Sequence, residues 1–175
     1  MTEAGGASVH ASAVLVGNRA VLIRGPSGSG KSRLAFDLIL AGRSGQIAPA
    51  MLVGDDRVHL AVSAGQLIVR PAPTLAGLIE IRGLGIRRCD FANEAIVGLL
   101  VDLDAADAAR LPSPQALTAQ LSGIRIPRIP VGVGYEARAL VMAALIMAAS
   151  SSSSQLSADC SKGIGNHITP TIATE

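Results

Sequence analysis

Eight residues, "GPSGSGKS" at positions 25 to 32, match the pattern G-x-x-x-x-G-K-[ST] in full. Gly25, Gly28 and Gly30 let the backbone curl with its N–H groups turned inward, a nest for phosphate oxygens. Pro26, Ser27 and Ser29 complete the loop. Lys31 is spaced to reach the β- and γ-phosphates, and Ser32 to ligate Mg²⁺. Such a site calls for a second acid to hold the metal. Asp102, at the end of the apolar run "IVGLLVDL", fits on pattern alone. Asp55 in "MLVGD" and Glu80 in "LIEIRG" are the other candidates. The adjacent pair Asp55-Asp56 lies between two apolar runs, where ionised groups need partners.

The elements that must position these groups follow from periodicity. "AVLVGNRAVLIR", 13 to 24, reads as two strands about a turn at Gly17-Asn18, the second feeding the Gly-rich loop. In "SRLAFDLILAG", apolar residues at 34, 35, 38 and 39 predict a helix closed by Gly42. "MLVGDDRVHLAVSAGQLIVRPA" reads as strand, acidic turn, strand, turn at Ala64-Gly65, strand. "LIEIRGLGIRR" is a short strand entering a Gly-rich bend, and "AIVGLLVDL" a buried strand. "DAADAARL" is read as a short helix stopped by Pro112 and Pro114. "IRIPRIPV" is extended, since proline biases its predecessor away from helix. "EARALVMAALIMAA" is a helix. From Ser150 the composition turns to serine, which predicts a flexible tail over 150–175 behind a domain at 1–149.

Composition narrows the function. Of 175 residues, 49% are apolar and 16% charged, the balance of a folded domain. Phe36, Phe91 and Tyr135 are the only aromatics, too few for a base-stacking platform. A net charge of +2 with no basic block gives no sign of a nucleic-acid or anionic-membrane partner. The two cysteines, Cys89 and Cys160, have no metal spacing and fit a reducing compartment. The N-terminus lacks the h-region of a secretory signal, and the longest apolar run, eleven residues, is too short to span a bilayer. The expectation is a cytoplasmic protein.

In combination, "VHASAVLVGNRAVLI", "GPSGSGKSRLAFDLI", "LVGDDRV" and "LIEIRGLGI" resemble the kinase domain of bacterial HPr kinase/phosphorylase, from about Val9 to Ala149. The resemblance implies an α/β fold of the P-loop, phosphoenolpyruvate carboxykinase-like type, a central mixed β-sheet flanked by helices. It also implies a short form without the separate N-terminal domain of long members. The implied activity is ATP- and Mg²⁺-dependent phosphorylation of a serine on HPr, a small phosphocarrier protein, or on an HPr-like protein. By the same resemblance Gly25 to Ser32 bind phosphates, Ser32 and Glu80 hold Mg²⁺, and Asp55 is the base on the target serine. His10 is the histidine ahead of the loop, Lys31 completes the clamp, and Ile79 to Arg88 form the catalytic signature. Asp102 then becomes a structural strand end. The family hexamerises, which sets a homo-oligomer as an expectation.

This chain departs from the family pattern in two places near the site. Arg33 stands where a glutamate usually follows the G-K-S triplet. "VGVGYEAR" replaces V-x-P-G-R-N, with Tyr135 at the arginine position. That arginine is tied to phosphorolysis in the family, so weak or absent phosphorylase activity is expected. The alternatives are another P-loop small-molecule kinase, for which Arg87, Arg88 and Arg128 are the lid candidates, and a non-catalytic nucleotide-binding regulator. A GTPase would carry N-K-x-D, which the sequence lacks.

Overall fold

The computed structural model describes residues 7–147. The predicted tail at 150–175 and the domain boundary at 149 lie outside them. The chain runs β1 (Ala7–Val9), β2 (Ser12–Val16), β3 (Arg19–Arg24), α1 (Lys31–Arg43), β4 (Ala50–Gly54), β5 (Val58–Ser63) and β6 (Gln66–Pro71). It continues through β7 (Leu78–Ile81), β8 (Gly85–Arg88), β9 (Ala95–Leu103), β10 (Thr118–Leu121), β11 (Ile124–Val131) and α2 (Ala137–Ile146).

Nine strands form one mixed sheet: seven run in the order β1-β5-β6-β9-β3-β2-β4, and β11 branches off beside β9 with β10 paired to it. The central strand β9 runs parallel to β3 along one edge. Its other edge is shared: Ala95 and Ile96 pair with antiparallel β6, while Leu100 to Leu103 pair with parallel β11. β9 is apolar along nearly its whole length because both its faces are covered. On one face Ile23, Val101 and Leu103 pack with Leu34 and Leu38 of α1 and Val141 of α2. On the other, Leu22, Leu100 and Ile126 pack with Leu60, Leu67 and Val69 of the strands β5 and β6. Both helices thus share one face, and sheet strands cover the second. Among the described residues no helix is long and apolar enough to cross a membrane.

The Gly-rich bend after Ile81 is a hairpin: β7 and β8 form a separate two-stranded sheet. The short helix expected in "DAADAARL" does not form. Residues 104–111 are turns, with Asp104 at φ 55° and Asp107 drawn out to Arg128 at 2.7 Å. Four alanines and one leucine ahead of two prolines cannot repay the cost of nucleating a helix.

Candidate active site

The phosphate-loop sequence links β3 to α1, as its spacing predicts. Gly30 caps the helix at φ 98°, a left-handed conformation that glycine adopts freely. The helix has no side-chain cap and no acid in its first turn, so its leading N–H groups remain available to an anion. Gly25 is fixed by proximity: a β-carbon there would lie 2.9 Å from Cβ of Leu103 and 2.6 Å from Oγ of Ser29. Lys31, 7% exposed, folds back and donates from Nζ to the carbonyls of Gly25 and Pro26, each at 3.0 Å. Among the described residues the buried hydroxyl of Ser29 has no hydrogen-bond partner.

The two aspartates part company. Asp55 follows β4 and is 3% exposed. Its Oδ1 accepts from Ser12 Oγ at 2.5 Å and Ser32 Oγ at 2.9 Å, and its Oδ2 from the Glu80 backbone N–H at 3.1 Å. Three donors, one charge and little water make Asp55 a hub that ties β2, α1 and β7 together. Asp56 takes a left-handed φ of 62°, a conformation aspartate tolerates better than most residues. The turn is closed by the Arg57 N–H donating to the Asp55 carbonyl at 2.7 Å. Its carboxylate is therefore thrown outward, 69% exposed, and meets His10 Nε2 at 3.3 Å. Of the pair, Asp55 lies behind Ser32 and accepts from its hydroxyl, while Asp56 lines the cleft.

That cleft measures about 870 Å³ and gathers Ser27 to Ser32, His10, Asp56 and Glu80. Gly25 and Pro26 form the base of the loop through their carbonyls on Lys31. Arg82 reaches over the loop, its Nη2 3.8 Å from where a β-carbon on Gly28 would sit. Arg33 and Tyr135, the two departures from the family pattern, also line the cleft. Ser12, the buried donor to Asp55, is a contact that local sequence pattern does not show. It lies 43 residues from Asp55, within a strand-like run that has no motif of its own.

Asp102 is committed elsewhere. It pairs in register with Arg24, and its neighbour Leu103 points into the helix-side core. By the alternation of a strand, its own side chain faces the opposite side, away from α1. There it accepts from Arg24 Nε at 2.7 Å and Arg128 Nε at 2.5 Å. Burial opposes its charge, but the two guanidinium groups prevail and hold the carboxyl below its ordinary pKa. Arg128, hydrogen-bonded to Asp107 and Asp102, is held above its ordinary value. Asp102 is thus a structural strand end that clamps β3, β9 and β11.

Among the described residues no group of three or more His, Cys, Asp and Glu gathers to hold a metal by itself. The oxygen ligands on offer are all hard: Ser32 Oγ, the Asp55 carboxylate that accepts from it, and the carboxylate of Glu80, a residue that lines the same cleft. That set suits Mg²⁺, which is commonly held by one or two protein oxygens with substrate phosphates supplying the rest.

Residues 3–160 match the family model described as HPr Serine kinase C-terminal domain. An HPr kinase/phosphorylase of Mycoplasma mycoides is 41% identical over 80 residues, 46% of this chain and 23% of that protein. One from Neisseria meningitidis is 32% identical over 140 residues, 71% of this chain and 42% of that protein. The chain thus matches less than half the length of these relatives. The solved structure of the Hpr(Ser) kinase/phosphatase from Coxiella burnetii superposes with a TM-score of 0.63 at 27% identity, covering 78% of this chain and 91% of that one.

Proposed function

The chain belongs to the HPr Serine kinase C-terminal domain family, and on that premise we propose that it transfers the γ-phosphate of ATP to a serine of HPr or an HPr-like protein. The observation that carries this reading is the outward carboxylate of Asp56, at the mouth of a phosphate-loop cleft and 3.3 Å from His10.

A serine hydroxyl is a weak nucleophile, and a carboxylate within reach must take its proton as the bond to phosphorus forms. Asp56 fits that task better than Asp55, whose oxygens already accept three hydrogen bonds. The serine oxygen bonds to the γ-phosphorus, the bond from that phosphorus to the β,γ-bridging oxygen breaks, ADP leaves, and the proton passes to Asp56. His10 orients that carboxylate, and when protonated it adds a positive charge beside it. Lys31, the N–H groups of the loop and the first turn of α1 bind the phosphates. Arg82, aimed at Gly28, adds positive charge over the same loop.

Ser32 and Glu80 are the proposed Mg²⁺ ligands, with Asp55 holding the Ser32 hydroxyl in place. When bound, the ion supplies charge neutralisation at the β- and γ-oxygens. With Tyr135 at the family's arginine position, phosphorolysis of the product is proposed to be weak.

The test is incubation with labelled ATP, Mg²⁺ and an HPr protein, followed by acid and alkali treatment. Acid-stable, alkali-labile label on HPr is the expected result. ATP binding without label on any carrier would instead favour a nucleotide-binding regulator.

A further inference from the structure

We propose that Tyr135 and the apolar cavity behind it hold the purine base of the nucleotide whose phosphates occupy the phosphate loop. This rests on the nucleotide-binding reading given above. Three observations carry it.

The first is continuity. A second cavity of about 390 Å³ lies between the end of β11, the turn segment at 109–117 and α2, with walls of Leu117, Ile129, Pro130, Leu140 and Ala144. Tyr135 lines both this cavity and the phosphate cleft. Its ring is a shared wall at the seam between an apolar chamber and a polar one, and a nucleotide is itself apolar at the base and charged at the phosphates.

The second is distance. β3, β9 and β11 are adjacent and parallel, so their C-terminal ends open on the same side. Ligands in such sheets bind outside those ends. The phosphate loop leaves β3 and the Tyr135 turn leaves β11, two strand spacings or roughly 10 Å apart. That is about the span from the β-phosphate of a nucleotide to its base.

The third is the ring itself. The Tyr135 N–H donates to the Gly132 carbonyl at 3.0 Å, closing a tight turn. A β-carbon on Gly132 would lie 3.5 Å from the ring, so the ring is seated on bare backbone. It is 48% exposed, with area left for a planar ligand to stack.

The experiment uses the full chain and two probes, ATP and inorganic tripolyphosphate, each with Mg²⁺. Tyr135 is the single tyrosine and there is no tryptophan, so intrinsic fluorescence reports on this ring alone. ATP is expected to change that emission strongly and tripolyphosphate little. Tyr135→Ala is expected to weaken ATP roughly 5- to 100-fold, the range for loss of one base–aromatic stack. It should leave tripolyphosphate binding within twofold. Tyr135→Phe should bind ATP as the parent does, and Ala144→Phe, which fills the cavity, should weaken ATP alone. Unchanged ATP affinity in both Tyr135→Ala and Ala144→Phe would overturn the proposal, as would equal loss of both probes. A shift in oligomeric mass on Tyr135→Ala with unchanged ATP binding would overturn it in favour of a second copy covering the cavity. A parent that binds neither probe refutes the nucleotide reading itself; one that binds tripolyphosphate and ATP equally refutes only the base site.

Discussion

The hydroxyl of Ser32 donates directly to Oδ1 of Asp55 at 2.9 Å, although 23 residues separate them. The contact joins the first turn of α1 to the end of β4, two strands away from the phosphate-loop strand β3. It makes the buried aspartate a support for the Ser32 hydroxyl and leaves the next residue to face the cleft. The two aspartates are therefore expected to fail differently.

Asp56→Asn is expected to lower phosphoryl transfer roughly 10²- to 10⁴-fold, the range for a lost general base. Its side chain is 69% exposed, so melting temperature and ATP affinity should stay close to those of the parent. Asp55→Asn is expected to lower the melting temperature and weaken Mg²⁺-dependent ATP binding together. Calorimetry beside a transfer assay separates the two patterns. A stable Asp55→Asn protein that binds Mg²⁺-ATP normally but transfers nothing would return the role of base to Asp55.

Ser12→Ala removes a fully buried donor from Asp55. Loss of one hydrogen bond to a buried charge costs on the order of 1–3 kcal/mol. Denaturant unfolding should show that loss in the midpoint. Ser12 does not line the cleft, so transfer per folded molecule should fall less than in Asp56→Asn.

Gly25→Ala places a methyl group 2.6 Å from Ser29 Oγ and 2.9 Å from Leu103 Cβ, at a φ of 153°. Either the loop or the end of β9 must shift. Binding of both ATP and tripolyphosphate is expected to fall at least tenfold, measured by titration calorimetry. Ala at Gly45, where a β-carbon would meet nothing, is the control for the left-handed backbone alone.

Asp102 ties stability to pH. Its folded-state pKa is depressed, so its contribution is fully present above the unfolded value near 3.8 and is lost as pH falls through the lower folded value. Asp102→Asn should destabilise by about 2–4 kcal/mol at neutral pH, because Arg24 and Arg128 lose their shared partner. The gap between parent and variant should narrow below pH 4. A gap that stays constant from pH 7 to pH 3 would mean that packing, not the ion pairs, is what the substitution removes.

Much of the positioning was legible from local pattern. The phosphate loop, the strand before it and the helix after it were readable because glycine spacing, apolar periodicity and helix capping all act within a few residues. The strands on either side of Asp55-Asp56 were readable for the same reason. The turns at 104–111 depart from the helix that local pattern predicts, and the pull of Arg128 on Asp107 comes from 21 residues away.

The sequence alone determined which residues can bind phosphate and that an acid must accompany them. It could not determine which acid, since Asp102, Asp55 and Glu80 all end or interrupt apolar runs. That choice belongs to tertiary structure. Strand alternation turns Asp102 to the face away from α1, where Arg24 and Arg128 occupy it. A left-handed residue at position 56 sends one aspartate inward to Ser12 and Ser32 and the other outward to His10. Burial and hydrogen-bond partners drawn from four separate elements decide the difference, and no local pattern encodes contacts at that range.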